Sequence, residues 1–83
     1  MSHDGKLVYM ANQIGKFFAH QPPDKAVDSI ADHLLKFWDP RMRKAIVEHV
    51  DKGGEAGLDA LVLRAVQKIR DSDQRRRATG SGR

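Results

Sequence analysis

Apolar residues recur every three or four positions through four stretches of this chain, and prolines or glycines cut the stretches apart. That spacing matches one face of an α-helix and not the alternation of a strand. Leu7, Met10, Ala11, Ile14, Phe17 and Phe18 form the first stripe, predicting a helix over 6–19. Pro22 and Pro23 stop it, because the residue before a proline is pushed out of the helical region. The second helix is expected to begin close to Pro23, with Asp24 at its positive end. Val27, Ile30, Ala31, Leu34, Leu35, Phe37 and Trp38 give it a wide apolar arc, and Asp32 and Lys36 have the spacing of a surface ion pair.

Asp39-Pro40 is the sharpest local signal. Aspartate suits the cap of a helix and proline its first turn, so one helix must end near Trp38 and the next start at once. Met42, Ala45, Ile46, His49 and Val50 mark the inward face of that third helix, and Gly53-Gly54 closes it. Leu61, Val62, Ala65, Val66 and Ile69 define the fourth. Asp59 is its expected cap, with Leu58 placed to pack on Leu63. The fold expected is all-α, a small bundle of three to four short helices over residues 1–70. Residues 71–83 are expected to be a disordered basic tail.

A chain of 83 residues has no room for a substrate domain beside a cofactor domain, and its core supplies only ~3–5 kcal/mol of net stability. With no cysteine, disulfides, iron–sulfur ligation and thiol catalysis are excluded. His3, His20, His33 and His49 contain no pair four residues apart, and the sequence offers no set of convergent metal ligands. His49 reads as a histidine at the core edge and His33 as a solvated one. None of Ser2, Ser29, Ser72 and Ser81 sits in a strand-to-helix turn. Asp28 and Asp32 share a helix face, where a carboxylate pair is ordinarily surface charge. Gly53, Gly54 and Gly57 lack the Gly-Lys-Ser/Thr of a phosphate loop and read as cap and linker. No catalytic, cofactor-binding or metal-binding residue is therefore assigned. No apolar run approaches the ~18 residues of a membrane span. The opening Met-Ser-His-Asp-Gly-Lys lacks the order of a signal peptide, which predicts a cytoplasmic protein.

Formal net charge is +4; Asp71 and Asp73 against Arg75, Arg76, Arg77 and Arg83 leave +2 of it in the tail. Elsewhere acids and bases are interspersed, as on a solvated surface. The run Arg41-Met42-Arg43-Lys44 places cations at the start of a helix, where the dipole disfavours them. Acids within the domain, an acidic patch on a partner, or nucleic-acid phosphates could hold them there. Tyr9 lies opposite the first stripe, and Val47 and Leu63 lie away from theirs. With Phe37 and Trp38 they could form an interface patch; Trp38 also reads as plain core. The corner Phe37, Trp38, Asp39, Pro40, Arg41, Met42 and Arg43 has the composition of an interface anchor.

Two blocks carry a family resemblance. One is Leu7-Val8-Tyr9-Met10-Ala11-Asn12-Gln13-Ile14 followed by Phe17-Phe18. The other is Ile30-Ala31-Asp32-His33-Leu34 running into Phe37-Trp38-Asp39-Pro40-Arg41-Met42-Arg43. With Gly57-Leu58-Asp59 and the helix behind it, the chain resembles, over roughly 6–70, the delta subunit of cytosolic NAD-dependent formate dehydrogenase. One departure is Ala60, where a proline would be expected. The resemblance implies a non-catalytic accessory subunit that supports assembly, cofactor insertion or stability of a molybdenum-containing catalytic subunit. It implies an alpha subunit holding bis-molybdopterin guanine dinucleotide and iron–sulfur clusters. It further implies beta and gamma subunits carrying further clusters, FMN and NAD, and no cofactor on the delta chain. The docking residues expected here are the Phe37–Arg43 corner together with Tyr9, Asn12 and Gln13. The alternative is a small helical nucleic-acid binder using its basic tail, with affinity that falls steeply with salt.

Overall fold

The computed structural model describes residues 3–81, and the side chains of residues 5–73 and of Arg75. The chain forms α1 (His3–Phe18), α2 (Pro23–Phe37), α3 (Pro40–Asp51), a single 3-10 turn (Gly54–Gly57) and α4 (Ala60–Ser81). There is no strand among the described residues. α4 packs most extensively on α2 and also on α3, while α1 lies across α2, α3 and α4.

The boundaries follow the punctuation. Pro22 is extended and Pro23 takes the first position of α2. The Asp39 carboxylate accepts from the Met42 backbone N–H at 3.0 Å, Pro40 opens α3, and the corner closes as the two residues demand. Gly53 ends α3 at φ 97°, a left-handed conformation open to glycine at no steric cost. Asp59 flanks α4, and its carbonyl accepts from Leu63 N–H at 2.8 Å. α4 does not stop where the apolar period stops. Its backbone is helical along residues 71–81, within the segment expected to be a disordered tail. Gln, Arg and Ala are good helix formers, and no proline or glycine intervenes before Gly80. Past Ile69 no described residue joins the core.

Ile30, Leu34, Ile46, Val62, Val66 and Ile69 are fully enclosed and form the centre of one core. Burying a side chain of this size contributes about 1.5–3 kcal/mol each against an exposed reference. α1 contributes Leu7 and Ala11 to the core and brings a buried glycine, Gly15, against α4. A Cβ there would collide with Val62 of α4, so the two helices meet at a point where no side chain fits between them. Three stripe assignments change in three dimensions. Phe17, counted on the inward face of the first helix, is 71% exposed. Phe17 is turned about 100° from Phe18, which is enough to carry it off the core. Leu35 and Phe37 likewise face outward from α2, at the edges of its arc. Val47 and Leu63, expected to point away, are half-buried against the core, because neighbouring elements cover flanks that a single helical wheel leaves open.

Two surface ion pairs join α2 to α4. Arg64 meets Asp24 at 2.9 Å and Lys68 meets Asp28. Both are exposed and contribute about 0–1 kcal/mol apiece. Asp32 pairs with Lys36 at 3.1 Å, as its spacing predicts. Asp28 and Asp32 are thus each engaged by a different lysine, and the two carboxylates do not converge on a common atom. Arg70 of α4 donates to Asp51 of α3 at 2.8 Å. That hydrogen bond is the main reason its guanidinium is held above the ordinary arginine value.

Candidate partner-binding surface

The ten residues expected at an interface divide by what they do in the fold. Trp38 is 5% exposed and belongs to the core. Met42 is half-buried and packs on the same cluster. Asp39 and Pro40 are exposed but form the cap and first turn of α3. Arg43 turns inward: its Nη1 donates to the carbonyls of Trp38 at 2.7 Å and Leu35 at 3.3 Å. A guanidinium there satisfies carbonyls left without partners at the end of α2 and sits favourably at the negative end of its dipole. The Arg43 Nε is enclosed without a hydrogen-bond partner. This answers, for Arg43, why a cation stands at the start of α3: it serves the helix before. Arg41 is exposed, and no ion pair holds it among the described residues.

On α1, Asn12 is half-buried and its side chain works within the domain. Nδ2 donates to the Gly57 carbonyl at 2.9 Å, and Oδ1 accepts from the Asp59 N–H at 3.0 Å. One amide therefore closes the loop that delivers α4. Asn12→Ala removes both bonds, at about 0.5–1.5 kcal/mol net for each. A urea melt should show a lower midpoint with an unchanged slope. Tyr9 and Gln13 remain on the outside. Tyr9 is 65% exposed, and its hydroxyl accepts from Gln13 Nε2 at 3.0 Å.

Sequence reasoning missed the feature that the tertiary structure makes most visible. Phe17 and Phe18 meet edge to face with ring centres 5.0 Å apart. Phe18 contacts His33 at 6.2 Å, and His33 contacts Phe37 at 4.6 Å. These rings come from α1 and α2, and two of them, Phe17 and Phe37, are each 71% exposed. His33, read as a solvated residue, is half-buried between aromatic neighbours. The sequence signals for this are local spacings, Phe17 four and eight residues beyond Gln13 and Tyr9 and Phe37 four beyond His33, and the Phe18–His33 contact that joins the two helices has none.

Asp24, Asp28, Arg64 and Lys68 line an open groove between α2 and α4, where their charges are already paired. Among the described residues no three metal-ligating side chains converge. His49 is half-buried, with its ring beside Gly54. No helix among the described residues is long and apolar enough to cross a membrane.

The chain is a small helical bundle that pairs several of its charged side chains within the domain and leaves the rings of Tyr9, Phe17 and Phe37 exposed. The profile of the family described as NADH-dependant formate dehydrogenase delta subunit FdsD matches residues 6–66, and the chain belongs to that family. The match runs from within α1 through the first third of α4 and includes every residue of the aromatic surface. No curated protein and no solved structure matches the chain.

Proposed function

We propose that this chain is the non-catalytic accessory subunit of a cytoplasmic, NAD-dependent formate dehydrogenase complex. The observation that carries the reading is the family match over 6–66. The fold supports it: with the core closed, Tyr9, Phe17 and Phe37 stay exposed as apolar surface available to a partner. In this reading the chain holds no cofactor. The alpha subunit carries bis-molybdopterin guanine dinucleotide and iron–sulfur clusters; beta and gamma carry further clusters, FMN and NAD. The delta chain docks on the alpha subunit and supports assembly, cofactor insertion or stability. A binder that prefers the folded state of its partner stabilises it by mass action, with no chemistry of its own.

Co-expression of the complex with and without the delta chain tests this. Tagged delta chain should retain the alpha subunit, and omitting it should lower the yield of molybdenum-loaded complex. The purified delta chain should turn over no formate; turnover by the chain alone would overturn the assignment, as would failure to retain any subunit. Within the corner, Arg41 is the cation free to meet a partner, since Arg43 is engaged at α2. Arg41→Glu should weaken retention and leave the melting temperature unchanged. Arg43→Glu should lower the melting temperature as well, because it exposes the end of α2. A chain that instead shifted nucleic acid in a gel, and lost that binding with residues 71–83 deleted, would favour the nucleic-acid alternative.

A further inference from the structure

Among the described residues, Tyr9, Phe17 and Phe37 are large hydrophobic side chains that the fold leaves exposed. Tyr9, Gln13 and Phe17 follow one another at four-residue steps, so α1 presents them in a row. The row continues through contacts already described: Tyr9 to Gln13 at 3.0 Å, Phe17 to Phe18 at 5.0 Å, Phe18 to His33 at 6.2 Å and His33 to Phe37 at 4.6 Å. We propose that this ridge, Tyr9–Gln13–Phe17–His33–Phe37, is the docking surface of the chain, and that its occupant is an apolar groove rimmed by carboxylates on a partner subunit. The inference rests on the subunit reading above and deepens it: the centre of the interface moves from the Phe37–Arg43 corner to the α1–α2 ridge, with Phe37 common to both.

The fold does not require these rings. Phe17 and Phe37 add almost nothing to the core at 71% exposure, while a contiguous aromatic patch is costly to leave in water. Aromatic side chains give large contact area for few rotatable bonds, which is why they dominate the centres of interfaces. Charge selects the occupant. Lys6 and Lys16 flank the row on α1, and from Gly5 to Phe18 that helix carries no acid. Neither lysine is held in an ion pair among the described residues. A symmetric dimer through this face would lay the same patch on itself and bring the like-charged lysines of the two α1 helices together. A partner with carboxylates beside an apolar groove meets both halves of the surface.

The test uses the full chain co-expressed with the alpha, beta and gamma subunits. Phe17→Asp/Phe37→Asp should leave the helical circular dichroism and the melting temperature near wild type, since both side chains are outside. It should weaken retention of the partner at least ~tenfold. Lys6→Glu/Lys16→Glu keeps every ring; it should also weaken retention, and wild-type binding should lose strength as salt is raised. Wild-type retention matched by the Phe variant overturns the ridge and leaves the subunit reading standing. Retention and salt response unchanged by the Lys variant overturn the carboxylate rim. A wild-type chain that no subunit retains overturns the subunit reading itself, and the ridge with it. A wild-type chain that sediments as a dimer, made monomeric by Phe17→Asp/Phe37→Asp, would show that a second copy fills the surface and overturn the partner proposed here.

Discussion

Trp38→Ala should unfold most of the domain at ambient temperature. The indole is 5% exposed in the core, at the joint where α2 hands over to α3. Truncating a buried tryptophan costs about 3–5 kcal/mol. A single core in a chain of this size supplies about the same. The backbone around it is equally committed: Trp38 N–H donates to Leu34 at 3.1 Å, and its carbonyl accepts from Arg43 at 2.7 Å. Far-ultraviolet circular dichroism against temperature is the measurement. Trp38→Ala should show low ellipticity with little or no cooperative transition, and Trp38→Phe should keep a transition at reduced temperature. A cooperative melt of Trp38→Ala close to wild type would show that the indole does not hold the core. A consequence for binding experiments follows. Loss of partner retention by Trp38→Ala reports unfolding, whereas loss by Phe37→Asp reports the surface, although the two residues are neighbours in the chain.

Gly15→Val should destabilise the fold by about 1–3 kcal/mol through overpacking. Elsewhere in an exposed helix, replacing glycine usually helps, because glycine is about 1 kcal/mol worse than alanine in a helix interior. Here the sign reverses because any Cβ at position 15 runs into Val62 Cγ2, and Val62 is itself completely buried and short. A branched residue of that length cannot swing its methyl aside, so α1 and α4 must separate. Removing the obstacle tests the cause. Val62→Ala alone costs stability by leaving a cavity. Combined with Gly15→Ala, it should lose less than the sum of the single changes, by about 0.5–3 kcal/mol. Strict additivity in urea melts would remove the Gly15–Val62 contact as the reason glycine stands there.

Much of this architecture is local chemistry that a reader of the sequence can follow. Pro22-Pro23, Asp39-Pro40 and Gly53-Gly54 restrict backbone angles or supply caps within a residue or two, so they end and start helices whatever surrounds them. The apolar spacing then names most of the core: Ile30, Leu34, Ile46, Val62, Val66 and Ile69 are all on the stripes and all enclosed. The length of α4 was less legible. The hydrophobic period ends at Ile69, while the helix is carried on to Ser81 by residues whose preference for helix does not depend on burial.

The expected interface shows where such reading stops. Phe37-Trp38 looks like one greasy pair, yet one ring is outside and the other inside, because consecutive residues at a helix end point about 100° apart. Asn12 and Arg43 look like exposed polar groups, yet each finds backbone partners brought by another segment, Gly57 and Asp59 for Asn12 and the end of α2 for Arg43. The chain alone determines four helices, their stops and their inward stripes, since those depend on angles and periods within one segment. Only the packing of α1 beside α2 decides that Phe17, Phe18, His33 and Phe37 share a surface. Contact between side chains fifteen or more positions apart follows from how helices cross, and no local rule encodes that.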